Sequence, residues 1–376
     1  MTIYVFMLIW VIIFGILANA TSKTVCVDSE NMIYEQRVNL FFALMTFSVI
    51  IFFASLRSSV ADTGAYISMF KSYPSDLSQI DGLLNGVAKR YPGFLVLTVL
   101  LKKFTSDYNV WFTIIAVISG ICVMMPLYKY SSNFGVSAFL FMASCQFSWM
   151  FNGMRQFLVA SIIFACTGLV LRKKFIPYAI IVCLLSTIHT SALILIPMYF
   201  IVTGEPWNKR TMLFVGGIIL AILFTSKFTG MLEDVVENTD YATSMVEFKE
   251  TDDGTSIMRI AVESVPVIIA FVYRNRIKDK LTPIIKLSIN MSLVSSGLYI
   301  ISKIARSGIM LGRLPIYFSM YNLILLPWLI KNIFNKEEKR LVYYLMIILY
   351  LAFFYYQMMI AWDGFGYASK ILNLKY

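Results

Sequence analysis

Apolar residues fall in long unbroken runs along this chain, without the period-two alternation of a half-buried strand or the single stripe of a water-facing helix. Runs at 3–20, 38–55, 110–127, 134–151, 154–171, 212–228, 257–273, 283–303, 314–330 and 341–360 are each close to the roughly 20 residues a helix needs to cross a bilayer. The run 175–202 is too long for one such helix and too short for two. Arg172-Lys173-Lys174 precede it and Lys209-Arg210 follow it, and both flanks favour the cytoplasm, so it predicts a hairpin of two short helices meeting near His189. The apolar segment 92–104 is too short to cross and contains Lys102-Lys103 near its end, which predicts an interfacial or re-entrant helix on the outer side. The pattern predicts an all-α polytopic membrane helix bundle of about eleven or twelve spans. It reads as a single integral membrane domain over residues 1–376, with outer loops at 56–108 and 229–256.

Composition removes the soluble classes. Of 376 residues, 59% are hydrophobic and only 14% charged, against about 25% charged in soluble domains. The net charge of +11 would suggest nucleic acid in a soluble protein. Here it is concentrated in Lys129, residues 172–174, Lys209-Arg210, the cluster 274–280 and residues 331–340, the short basic turns that mark cytoplasmic loops. These turns place the N-terminus outside, and the first run, with no Lys or Arg before it and longer than a signal peptide's hydrophobic region, reads as an uncleaved span. Cys122, Cys145, Cys166 and Cys183 lie in apolar runs and Cys26 in a polar loop; the odd number and the lack of a C-x-x-C pair give neither a disulfide framework nor a zinc site. Neither a nucleotide loop nor a dinucleotide fingerprint is present, so no cofactor is expected.

Four arginines fall at outer span ends, where orientation alone would not place them: Arg57, Arg155, Arg306 and Arg313. Snorkelling or a structural ion pair explains any one of them. The four together suit a phosphate ligand, because the planar guanidinium binds phosphate in a bidentate way that lysine cannot reproduce. The chain's only histidine, His189, sits at the expected turn. An imidazole there either accepts a hydroxyl proton or bonds a phosphate oxygen, or it satisfies a backbone carbonyl freed by the helix break. Asp62, five residues after Arg57, is a general base, a partner that orients Arg57, or the cap of a helix starting at Thr63. Trp149, Tyr66, Tyr91 and Trp362 near the outer interface either stack on sugar rings or anchor the bundle as belt aromatics. The loop 229–256 carries eight acids against Lys249, which reads as a solvated outer loop more readily than as a lid or calcium site.

The ordered set Leu56-Arg57, Ala61-Asp62-Thr63-Gly64-Ala65-Tyr66, Tyr91-Pro92-Gly93-Phe94, Asn152-Gly153-Met154-Arg155-Gln156 and His189-Thr190-Ser191-Ala192 resembles the EpsG family of Wzy-like bacterial polysaccharide polymerases. The resemblance is best over residues 50–200 and weaker around 313–318 and the C-terminal tail. Ser55 and Ala61 stand where the family often has glycine, and Tyr91 where it often has glutamate before Pro-Gly; the job of that glutamate is missing or moved here. The resemblance implies a GT-C-like, inverting membrane glycosyltransferase that joins undecaprenyl-pyrophosphate-linked oligosaccharide repeat units. Its substrate contacts would be Arg57, Asn152, Arg155, Gln156, Arg306, Arg313 and Tyr66, with His189 or Asp62 as base and no metal. Partners would be membrane lipids, a chain-length regulator and a flippase, and no nucleic acid. Two other classes stand beside it: a transporter or flippase for such lipids, in which the arginines line a path, and a membrane acyltransferase in which His189 is catalytic. The halves show no internal repeat that would favour the transporter, and an acyl donor would come from the cytoplasm while His189 is expected outside.

Overall fold

A computed structural model describes residues 2–28, 33–80, 90–225, 254–308, 311–363 and 365–374. The chain is an all-α membrane helix bundle. In chain order its principal helices are α1 (Thr2–Ala20), α2 (Leu40–Ser55), α3 (Thr63–Ser72), α4 (Pro92–Lys102), α5 (Tyr108–Tyr130), α6 (Phe134–Ala143), α7 (Met154–Ala165), α8 (Phe175–Ser186), α9 (Leu195–Val202), α10 (Lys209–Leu223), α11 (Ile257–Val272), α12 (Pro283–Ile304), α13 (Asn322–Ile333) and α14 (Lys336–Tyr355). Between α1 and α2 an antiparallel hairpin pairs β1 (Lys23–Asp28) with β2 (Ile33–Arg37), Lys23 opposite Arg37. Among the described residues four helices are long and apolar enough to cross a membrane: Thr2–Ala20, Tyr108–Tyr130, Pro283–Ile304 and Lys336–Ala361. On α14 the residues Leu341, Leu345, Ile348 and Leu349 are exposed, the outward apolar face expected of a helix whose solvent is lipid.

Several expected spans are interrupted. The run 134–151 leaves helix after Ala143, passes through Cys145 in the left-handed region (φ 61°), and continues as a 3₁₀ turn over Gln146–Met150. The run 154–171 breaks at Cys166, and 314–330 is split between a short turn at Ile316–Ser319 and α13. The long run 175–202 divides where expected, into α8, a turn through His189, a 3₁₀ segment Thr190–Ile194 and α9. Its break is local chemistry: Ser186 and Thr187 donate their hydroxyls to Cys183 and Leu184 carbonyls, 2.7 and 2.6 Å, an alternative to continuing the backbone ladder. The short helix expected over 92–104 is α4, with Pro92 at its first turn. The acidic loop lies outside the described residues except for 254–256.

Contacts gather the chain into two compact units, one of Met1–Leu169, Lys174–Ile194 and Lys336–Tyr376, the other of Val170–Lys173 and Leu195–Asn335. In the first, α1 packs on α2 and α6, α2 on α5, and α5 on α7. The α1–α6 crossing is backbone on backbone: a Cβ at Gly135 would lie 2.6 Å from the Gly15 carbonyl oxygen, so only glycine permits the approach. In the second unit α12 is surrounded by α9, α10, α11 and α13. Asn290 on α12 donates to the carbonyls of Val202 and Gly204, 3.0 and 2.8 Å, tying α12 to the end of α9.

Candidate functional site

The end of α2 shapes the first part of the site. Arg57 follows it directly and folds back under the helix, fully buried. One terminal nitrogen donates to the Ala54 carbonyl, Nε donates to Thr63 Oγ1 at 3.2 Å, and the other terminal nitrogen meets Met154 Sδ at 3.0 Å. The guanidinium carbon lies 4.1 Å from the centroid of the Phe112 ring. Burial pulls this guanidinium down to about 10, while Tyr66, Tyr367 and Asp62 oppose the shift, so it remains cationic at neutral pH. The C-terminal tail closes the loop: the Ser58 N–H donates to the Ala368 carbonyl, Ser59 and Ala368 exchange backbone hydrogen bonds, Tyr367 donates to the Phe53 carbonyl at 3.0 Å, and Tyr4 donates to the Phe365 carbonyl at 2.7 Å.

The second part is the start of α7. Gly153 turns the chain into the helix with φ 72°, a conformation that favours glycine. Its N–H donates to Asp62 Oδ2 at 3.2 Å, and the Arg155 N–H donates to the Tyr66 hydroxyl at 3.4 Å. Asp62 makes no side-chain cap on its own helix α3; its carboxylate sits instead at the positive end of α7. This anchoring directs the Arg155 side chain onto an aromatic seat. Its guanidinium carbon is 4.2 Å from the Tyr91 ring centroid, 5.8 Å from Tyr66 and 5.7 Å from Phe94. Among the described residues, Arg155 Nε and Nη1 and Asn152 Oδ1 are buried with no hydrogen-bond partner. Tyr66, Tyr91, Phe94, Trp111 and Phe112 belong to one buried cluster, so the seat beneath Arg155 is continuous with the ring beneath Arg57.

The third part is the turn after α8. The Gly93 N–H donates to the Thr187 carbonyl at 2.9 Å, and a Cβ at Gly93 would come within 2.1 Å of Thr187 Oγ1, so α4 can dock on this turn only through a glycine. The docking lays Tyr91 on His189, ring centroids 5.4 Å apart and planes 23° from parallel. His189 Nδ1 is 2.8 Å from Ser191 Oγ, which accepts from Gln156 Nε2 at 3.3 Å. Asp62, Tyr66, Asn152, Arg155, Gln156 and His189 thus come together in the first unit, with Arg57 behind the same aromatic cluster.

Arg306 and Arg313 belong to the second unit. Arg306 is exposed with φ 47°, and Arg313 is half-buried, on the turn that Ser302 braces by donating to the Ser307 carbonyl at 3.0 Å. The sequence reading offered Tyr91 only as a sugar-stacking or belt aromatic, not as a partner of Arg155 and His189, and it passed over two groups. Ser191 stood in the motifs but not among the expected contacts. Glu263, the one acid in the run 257–273, is buried on α11, accepts from Asn322 Nδ2 at 2.9 Å and lies 3.6 Å from Arg259; an acid inside an apolar run was its available signal. Among the described residues no group of three or more His, Cys, Asp or Glu could hold a metal ion.

The model of the EpsG family matches residues 40–373. No curated protein and no solved structure matches the chain.

Proposed function

The chain belongs to the EpsG family, and from that membership and the geometry of its first unit we propose that it is a membrane glycosyltransferase of the polysaccharide-polymerase kind, joining undecaprenyl-pyrophosphate-linked oligosaccharides at the outer face of the plasma membrane. In this reaction a hydroxyl oxygen of the acceptor glycan bonds to the anomeric carbon of the donor sugar. The bond from that carbon to the pyrophosphate oxygen breaks, and the lipid pyrophosphate leaves with the electron pair. One displacement inverts the anomeric centre. The enzyme must hold the growing negative charge on the leaving group and take the hydroxyl proton.

Arg155 is the proposed pyrophosphate contact, with Asn152 and Gln156 offering polar groups beside it. His189 is the proposed proton acceptor, because Asp62 is already engaged with the Gly153 N–H at the start of α7. Arg57, with its nitrogens directed to internal partners, is proposed to hold the aromatic floor and add positive potential from below. Arg306 and Arg313 are proposed as substrate contacts carried by the second unit. The observation that carries the reading is the Arg155 guanidinium, seated on rings with Nε and Nη1 buried and unpartnered. Leaving such donors without an acceptor is costly in a finished fold, and an arriving anion is the acceptor they fit.

In a producing cell, Arg155→Ala is expected to abolish long polymer and leave lipid-linked single repeats at the outer leaflet, the cellular result of a rate loss of about 100-fold. Polymer of normal length and amount in this variant would reject the assignment. Single repeats stranded at the inner leaflet would identify a flippase instead.

A further inference from the structure

We infer that Tyr91 is the positioning residue of this site: one phenol ring seats both the Arg155 guanidinium and the His189 imidazole, fixing the anion-binding group relative to the proton acceptor. The names of those two roles rest on the polymerase reading; the seating rests on geometry. Tyr91 is buried, its ring centroid is 4.2 Å from the Arg155 guanidinium carbon, and it stacks on His189 at 5.4 Å and 23°. The start of α4, just after Tyr91, is pinned by the Gly93–Thr187 contact, which admits no side chain at residue 93.

The chemistry of the seat has a specific consequence. A guanidinium binds a ring through its flat face and an oxyanion through its N–H edges. A carboxylate at position 91 would occupy those edges, compete with phosphate and cancel the charge. A phenol against the guanidinium adds no competing acceptor while removing rotational freedom from a long side chain, so the group is oriented before a ligand arrives.

The test uses the full-length protein in nanodiscs with undecaprenyl pyrophosphate as the binding probe, alongside kcat and KM for lipid-linked repeat units. Tyr91→Phe keeps the ring and is expected to bind within about twofold of the parent, whereas Tyr91→Leu is expected to bind about tenfold more weakly and to lose kcat as well. Because a leucine variant can also misfold, the decisive series places phenylalanine with increasing ring fluorination at 91, which drains the face of negative charge while keeping its shape. Binding should weaken stepwise, by about tenfold across the series. A flat series, or a Tyr91→Phe loss equal to that of Tyr91→Leu, overturns the inference. If Arg155→Ala binds the probe as tightly as the parent, it is the polymerase reading that fails; weak binding by Arg155→Ala with a flat fluorination series leaves that reading in place and removes only Tyr91's role.

Discussion

Arg57 and Arg155 carry the same functional group at the same kind of position and end in opposite situations. Arg57 has a carbonyl, a hydroxyl and a thioether around it and a ring against its face, with no exposed surface. Arg155 has rings against its face and two buried nitrogens without partners. That both were candidates was legible in the sequence, because arginine at an outer span end is conspicuous. Which one keeps unpartnered nitrogens was not, since that depends on Ala54, Thr63 and Met154 arriving from three different helices. The two should separate experimentally. Arg57→Ala is expected to destabilise the purified protein by about 3 kcal/mol, since it removes a buried cation that holds several hydrogen bonds and leaves a void; Arg155→Ala, which forfeits ring contacts but no hydrogen bond through Nε or Nη1, should cost only about 1 kcal/mol. Thermal unfolding in detergent, followed by tryptophan fluorescence, decides it. Equal midpoints for the two variants would mean that Arg57 is not the internal brace described.

At the level of elements, the sequence was most readable where charge and length conflicted. The run 175–202 could not be one span with basic residues on both flanks, and it breaks at His189. The interruptions at Cys145 and Cys166 had no such signal, because apolar side chains fill helix and 3₁₀ turn alike and only packing selects between them. The β1–β2 hairpin was hidden for a related reason: a pattern search tuned to spans treats a short polar connection as loop. The tail was the least legible element. Ala368 pairs with Ser59, and Tyr367 reaches the Phe53 carbonyl at 3.0 Å, so a segment that reads as an outer appendage is a clasp over the Arg57 loop. Removing residues 366–376 should therefore open that loop without unfolding the bundle. Limited proteolysis of the truncated protein is expected to cut between residues 56 and 62, where the intact protein resists, and polymer formation should fall with it. A cleavage pattern unchanged by truncation would show that the clasp does not secure the loop.

For the whole molecule, the question is which side of the membrane the site faces, and the first unit supplies an internal argument. Residues expected on one side gather at one end: the start of α1 and the tail join through Tyr4 and Phe365, the tail meets the Arg57 loop, and that loop leads to Gly153, Tyr91 and His189. Residues expected on the opposite side gather elsewhere, with Asn19 donating to Asn133 Oδ1 at 2.6 Å and the Asn39 N–H donating to the Ala18 carbonyl at 3.3 Å. The alternation of spans inferred from loop charge is thus consistent with how this unit packs. From the positive-inside bias of the loops we propose that the Arg155 end faces the outer leaflet. In a variant with its five cysteines replaced, a cysteine at exposed Gly64 should react in intact spheroplasts with a membrane-impermeant maleimide. One at exposed Lys23 should react only after permeabilisation. The reverse result would turn Arg155 and His189 toward the cytoplasm, where a polymerase acting on exported lipid-linked glycan would have no substrate. The guanidinium seat would then have to serve an anion of the inner leaflet.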